Sequence, residues 1–178
     1  MSDKLLARKG IITADFLTDK FRISGDVTLK SQPFPDMMND KGSAFCRIEN
    51  VYVSPIDDPT TFRAQYPVGQ VRKQSVIAVV LTREEDGIAR HSMYQVKLDA
   101  PVYFNLYVTA GEYEIRGGVK IASPVDVDNM LMQSLDPFMA VFRATASLVS
   151  DPEIQFSGGA LLLNRNYANI YCVERVTG

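Results

Sequence analysis

The chain has 178 residues, of which 46% are hydrophobic and 22% are charged, and its formal net charge at pH 7 is −2. This composition is typical of a folded globular protein and excludes a disordered one. Because basic residues are not in excess, we do not expect the chain to bind nucleic acid through its net charge alone. Because no apolar run approaches the ~20 residues of a membrane span, we expect a cytoplasmic protein that does not bind membranes.

Alternation of apolar and polar residues predicts five strands in the first half of the chain. Phe21, Ile23 and Val27 share one face of their segment and polar residues occupy the other, as in a half-buried strand. A short helix is expected at residues 35–40, between the second and third strands. The predicted strands cover residues 9–17, 21–29, 45–54, 61–71 and 76–81.

The second half of the chain predicts the same order of elements. A short helix is expected at residues 126–134, again between the second and third strands, with Asp126 as its N-cap. Between the two halves, residues 85–98 begin with an acidic turn and are interpreted as a connecting hairpin or linker. The predicted strands cover residues 102–109, 113–121, 138–150, 154–163 and 168–173.

The two halves also correspond residue by residue, which predicts an internal repeat. Residues of the second strand in the first half align with residues numbered 92 higher in the second half. For the third strands the offset is 93, because the second half has one extra residue before them, and for the last two strands it is 92 again. The matched pairs include Ile23 with Ile115, Gly25 with Gly117, Val27 with Val119, Phe45 with Phe138 and Asp58-Pro59 with Asp151-Pro152. Apolar, Gly and Pro positions recur while surface residues differ, as two copies of one fold would require.

The predicted fold class is therefore mainly β, with two repeated five-stranded antiparallel small β-barrels and a short helix inserted between strands 2 and 3 of each. We expect repeat 1 at residues 1–84, the connection at 85–98 and repeat 2 at 99–178. Closure into a barrel would remove the exposed strand edges of such a small sheet. The short connection favours two modules that pack together as a pseudo-dimer.

Four segments resemble the Sm/LSm-like small β-barrel family. KGIITADFLTDKFRISGDVTL and VYFNLYVTAGEYEIRGGVKI are similar to its opening pair of strands, and QVRKQSVIAVV and LLLNRNYANIYCV to its closing pair. The family places its helix before the first strand and has an Arg-Gly corner, whereas this chain differs at both points. Small uncharacterised bacterial β-barrel proteins offer an equal likeness. The resemblance implies a barrel, and it implies nucleic-acid binding only as an alternative.

The polar corners before the last strand of each half are the candidate ligand-binding residues: Arg72, Lys73 and Gln74, and Asn164, Arg165 and Asn166. Arginine can stack on a base or hold phosphate with two hydrogen bonds, and side-chain amides can read a base edge. The alternative interpretation is that a tight corner simply requires polar residues that tolerate a turn.

No pattern predicts catalysis, a metal site or a cofactor. The carboxylate clusters fall in turn-like segments, His91 has no identifiable partner, and Cys46 and Cys172 are expected to be buried free thiols. The sequence therefore favours a non-enzymatic binding or assembly module that forms a homo-oligomer or binds a protein partner. The alternative hypothesis is binding of RNA or single-stranded nucleic acid through the Arg- and Asn-containing corners.

Overall fold

The computed structural model describes residues 10–90, 102–121, 131 and 134–176. Each of its ten strands overlaps a strand that the sequence predicts. The first half contains β1 (Ile11–Leu17), β2 (Phe21–Thr28), α1 (Phe34–Asn39), β3 (Phe45–Pro55), β4 (Ala64–Arg72) and β5 (Ala78–Leu81). The second half contains β6 (Val102–Ala110), β7 (Tyr113–Ile121), β8 (Phe138–Leu148), β9 (Gln155–Asn164) and β10 (Ala168–Arg175). Short 3₁₀ turns occur at Lys73–Ser75, Glu84–Gly87 and Arg165–Tyr167.

All ten strands belong to one antiparallel sheet in the order β10-β6-β7-β8-β9-β5-β1-β2-β3-β4. The two separate barrels that the sequence predicts are not observed, because the sheet is open and continuous. Its halves join where β5 pairs with β9, so the second edge of β5 is already occupied by the other half. The predicted inserted helix is present as α1 in the first half, whereas residues 126–134 lie outside the described residues apart from Leu131 and Ser134.

The strand order and the pairing registers are the same in both halves. Adding 92 to both residue numbers converts each β1–β2 pair into a β6–β7 pair, so that Leu17↔Arg22 becomes Thr109↔Glu114. The pairs that β3 makes with β2 and β4 become those that β8 makes with β7 and β9 when 93 is added to the β3 residue and 92 to its partner. We call two residues related by these shifts counterparts.

The sheet bends at one equivalent point in each half. A register shift interrupts the β2–β3 and β7–β8 ladders, and the extra residues Asn50 and Arg143 are counterparts with φ of 51° and 49°. A β-carbon at Gly25 or at Gly117 would lie 2.9 Å from a carbonyl oxygen of the bulged strand. These bulges allow the sheet to curve around an apolar interior on each side.

The apolar core consists of two clusters, one mostly from each half, and β5 and β9 contribute to both. Ala78 and Val80 of β5 lie in the second-half cluster, while Val79 and Leu81 lie in the first-half cluster. In β9, alternate residues divide between the two clusters in the same way. Burial on both faces explains why residues 78–81 and 160–163 are continuously apolar instead of alternating.

Helix α1 is short and lies over the first-half cluster. Pro35 occupies its first turn, and Phe34 and Met38, four residues apart, are buried on one face. The side chain of Asn39, at its end, exchanges two hydrogen bonds with the backbone of Phe138 in β8, at 2.9 and 3.0 Å. The helix therefore also links the two halves. Among the described residues no helix is both long and apolar enough to cross a membrane.

The cysteines differ from each other in environment. Both are free thiols, and Cys46 is buried as expected. Cys172 is exposed, contrary to the expectation, because β10 is a terminal strand of the sheet and none of the described residues covers this side chain. The wrong prediction for Cys172 thus follows from the position of its strand and not from the local pattern.

Candidate functional site

Lys73, in the first predicted corner, points into the protein. It is 9% exposed, and its Nζ donates hydrogen bonds to the carbonyl oxygens of Met37 (2.5 Å) and Asp40 (3.0 Å). Burial lowers the pKa of this ammonium group, and the negative charge of Asp40 partly opposes that shift. Since carbonyls at a helix C-terminus lack partners within the helix, Lys73 serves to cap the end of α1.

Arg165, the counterpart of Lys73, has the corresponding contact in the second half. Its Nη1 donates to the carbonyl oxygen of Leu131 at 2.7 Å, in the connection between the second and third strands. Burial lowers the pKa of this guanidinium group, which Tyr171 and Asp136 partly offset. The two corner cations therefore hold equivalent connections in place, and neither presents its charge freely to solvent.

Asn164 is buried at 1% exposure and connects the two halves. Its Nδ2 donates to the carbonyl oxygen of Val76 (2.8 Å), and its Oδ1 accepts from the backbone N–H of Asn166 (3.1 Å). The neighbouring Tyr167 hydroxyl donates to the carbonyl oxygen of Gln74 at 2.9 Å. The fold thus brings the two predicted corners together.

The remaining corner side chains, Arg72, Gln74 and Asn166, are exposed. Arg72 Nη2 donates to Gln74 Oε1 at 3.2 Å, a contact between two solvated groups. Of the six predicted ligand-binding residues, three therefore serve the interior of the protein. The corner hypothesis retains Arg72, Gln74 and Asn166 as its accessible donors.

The pairing of β5 with β9, which we call the junction, is a buried contact between the halves. Its register is Ala78↔Leu163, Val79↔Leu162, Val80↔Leu161 and Leu81↔Ala160, and these side chains are at most 6% exposed. Beside it, the buried Tyr113 hydroxyl donates to the carbonyl oxygen of Thr18 at 2.6 Å. Its buried location raises the pKa of Tyr113, so this hydroxyl remains a donor at all physiological pH values.

The two ends of the sheet, which we call the free edges, are β4 and β10. In the described part of the chain, each of these strands pairs with a single neighbour, β3 and β6 respectively. By the repeat correspondence, β4 is the counterpart of β9 and β10 that of β5. The two strands that pair at the junction therefore recur, unpaired on one side, at the opposite ends of the molecule.

Exposed apolar side chains mark both free edges, and their counterparts are buried at the junction. On the β4 side, Val68 of β4 (46% exposed) is the counterpart of Ala160 (0%). Phe45 of the neighbouring strand β3 (49%), which pairs with Arg72, is the counterpart of Phe138 (4%). On β10, Ile170 (51%) is the counterpart of Ala78 (0%). Val68 and Ile170 thus give the free edges the apolar character of the junction, and none of the described strands covers them.

A cleft of about 410 Å³ lies between corresponding turns of the two halves. Its charged lining residues carry both signs and are all exposed: Asp19, Lys20, Asp57, Arg63 and Glu112. Since acid/base catalysis relies on groups whose pKa values are shifted by burial, the cleft offers no buried acid or base for it.

Sequence reasoning missed the free edges and the residues of the junction. The continuous apolar runs at 78–81 and 160–163, set against alternation elsewhere, were the available signal. Nothing in the local pattern identifies Tyr113 as a link to Thr18, because that contact joins residues 95 positions apart. The chain matches no protein-family model, and neither the curated proteins nor the solved structures contain a match to it.

Proposed function

We propose that this protein is a non-enzymatic assembly module that associates with other copies of itself through its free edges. In this proposal the chain consists of two copies of one small β module, fused so that one edge contact is internal. The shared strand order and registers support the duplication. One observation carries the proposal, namely that apolar residues exposed at the free edges have counterparts buried at the junction.

Physical chemistry favours this use of the edges. A terminal strand presents unpaired N–H and C=O groups, which are a template for another strand unless charge, proline or a covering element protects them. Val68 and Ile170 lie on these strands and are about half exposed. The proline and the charged residues of the two strands, Pro67, Arg72, Glu174 and Arg175, lie outside the segments 68–71 and 170–173. Burying such side chains against a second strand adds the hydrophobic contribution to the backbone hydrogen bonds of strand pairing.

Light scattering coupled to size-exclusion chromatography tests the proposal. The wild-type chain, of 19.8 kDa, is expected to elute with a multiple of that mass. A Val68→Lys/Ile170→Lys double variant is expected to elute as a monomer, because lysine on an edge resists strand pairing while a half-exposed site tolerates it. A wild-type protein that stays monomeric over a wide concentration range would refute self-assembly.

Ile11→Lys is the matched control. Ile11 is 65% exposed, and its counterpart Tyr103 is also exposed at 44%, so this position is not part of the junction in either half. Self-assembly should survive Ile11→Lys. If Ile11→Lys dissociates the protein as completely as the edge variants do, the free edges are not the contact.

Nucleic-acid binding through the corners receives less support from the contacts. Lys73 and Arg165 donate to carbonyl oxygens within the protein, so fewer cations remain for phosphate. Titration of the wild type with labelled single-stranded RNA, repeated with Arg72→Ala, addresses it. Binding that falls with salt and with this substitution would favour the corner hypothesis over the assembly module.

A further inference from the structure

The strand pairing at the junction shows how β4 of one copy of the chain could pair with β10 of another. It pairs the fifth strand of the first half with the fourth strand of the second half over four residues, antiparallel. The same two kinds of strand stand at the opposite ends of the molecule, β4 at one and β10 at the other. Because β4 and β10 are different strands, a contact between β4 of one copy and β10 of another joins two different surfaces. The resulting dimer still has one unpaired β4 edge and one unpaired β10 edge.

We infer, on the basis of the proposed assembly function, that copies of the chain join head to tail, with β4 of one copy paired antiparallel to β10 of the next in the register of the junction. Transferring the junction register by the shift of 92 defines the pairs. They are Val71↔Ile170, Gln70↔Tyr171, Gly69↔Cys172 and Val68↔Val173. Repetition of such a heterologous contact builds closed rings or extended filaments.

The backbone of β4 is oriented for this pairing. The N–H of Lys73, next after β4, donates to the carbonyl oxygen of Ala44 on the β3 side at 3.0 Å. Backbone groups alternate between the two sides along a strand, so Val68 and Gln70 direct theirs away from β3. In β9 the corresponding alternation is visible at Asn164, the counterpart of Arg72, whose N–H donates to Ile77 on the β5 side at 2.9 Å.

The side chains also match the faces they would meet. At the junction, Ala78 and Val80 of β5 pack into the core of the other half. Their counterparts, Ile170 and Cys172, are the exposed residues of β10 and would pack in the same way on the next copy. The opposite face of β10 is already covered, since Tyr171 and Val173 pack against its own core.

The contact between copies would have the same four strand pairs as the junction but not the close crossing that follows them. After Leu81 the chain crosses closely over β9, where a β-carbon at Gly158 would lie 2.3 Å from the Leu81 carbonyl oxygen. The counterparts of Gly158 and Gly159 are Tyr66 and Pro67, and proline has no N–H to donate. The β10 strand instead continues straight to Arg175 beside β6. We therefore place the limit of the pairing at Val68↔Val173.

Two variants, each with one free edge blocked, test whether the contact joins β4 to β10. Val68→Lys blocks the β4 edge and Ile170→Lys blocks the β10 edge, so each variant alone is expected to be monomeric. An equimolar mixture retains one intact edge of each kind and is expected to give a heterodimer of twice the 19.8 kDa chain mass by light scattering. If either variant alone forms a stable dimer, like edges pair with each other and the inference is wrong.

Cysteine cross-linking tests the register. A Val68→Cys/Val173→Cys variant in a Cys172→Ser background places two thiols in one cross-strand pair, within the Cα separation that a disulfide requires. We expect a ladder of cross-linked species on non-reducing gels after mild oxidation. The control is Val68→Cys with the native Cys172, one residue out of register, where the side chains point to opposite faces and should not cross-link.

The outcomes separate this inference from the proposed function. If the double-cysteine variant is oligomeric by light scattering but does not cross-link, self-assembly stands and the inferred register is wrong. Cross-linking by Val173→Cys alone in the same background would also overturn the head-to-tail arrangement. If no preparation oligomerises, both the proposed function and the inference fail.

Discussion

Replacing Lys73 by methionine tests whether the corner cations are structural or bind a ligand. The ammonium group donates to two carbonyl oxygens, at 2.5 and 3.0 Å, and the side chain is 9% exposed. Each hydrogen bond to a charged group contributes roughly 1.5–3 kcal/mol net, and the lowered pKa of Lys73 shows that burial of the charge offsets part of this. We therefore expect Lys73→Met to reduce the free energy of unfolding by about 2–4 kcal/mol.

The assay is equilibrium unfolding in urea at pH 7, followed by circular dichroism, with the m-value as a check that the folded and unfolded states are unchanged. A decrease of that size corresponds to a fall in Tm of about 5–15 °C for a chain of this length.

Arg72→Met is the matched control, since Arg72 is the exposed neighbour whose side chain donates only to Gln74. We expect its effect to stay within about 0.5 kcal/mol. Should Lys73→Met destabilise the protein by less than about 1 kcal/mol, or no more than Arg72→Met, the assignment of Lys73 as the cap of α1 would be refuted.

Three further predictions concern the junction and the core. Asn164→Ala removes the donor to Val76, a fully buried residue, and should lower the free energy of unfolding in urea by about 2–3 kcal/mol. Tyr113→Phe removes the 2.6 Å hydrogen bond to Thr18 and should cost about 1–2 kcal/mol in thermal unfolding. Burial raises the pKa of the Cys46 thiol from 9.0 to about 11. The folded state therefore keeps this proton when the unfolded state loses it, and stability falls as the pH rises from 9 to 11. Between pH 8 and pH 10.5, the wild type should lose about 2 kcal/mol more than Cys46→Val in urea unfolding.

Each of these predictions has an outcome that contradicts it. Retention of wild-type stability by Asn164→Ala would mean that water satisfies the Val76 carbonyl. Tyr66→Phe, at a side chain that is 63% exposed, is the control for Tyr113→Phe. If the two substitutions lower the Tm equally, the buried hydrogen bond of Tyr113 does not contribute measurably to stability. Equal alkaline losses in the wild type and Cys46→Val would show that the thiol ionises at the same pH in both states.

The positions of the strands could be predicted from the sequence, because alternation of apolar and polar residues is a local property. Ile23 and Val27 share a face whatever else the chain does, and the pattern recurs 92 residues later. The similarity of the two halves could be recognised in the sequence because residues at equivalent positions have similar packing environments. Apolar positions, and glycines such as Gly25 and Gly117 that lie against a carbonyl oxygen, have the same steric requirements in both halves.

The candidate site was predictable only in part. The corners were identified as polar turns, but their residue types do not reveal that Lys73 lies against the end of α1 while Arg72 faces solvent. Neighbouring residues of similar charge differ there because one of them meets a helix that lies more than 30 positions earlier in the chain.

The sequence by itself determined the strands and their order along the chain, since both follow from side-chain patterning over short distances. The tertiary structure alone decided that β5 pairs with β9, which turns two expected barrels into one open sheet. Strand pairing uses backbone groups that every residue carries, so the choice between neighbouring strands depends on which apolar faces become buried together. For the same reason only the structure shows that β4 and β10 are the free edges, with Val68 and Ile170 left exposed on them.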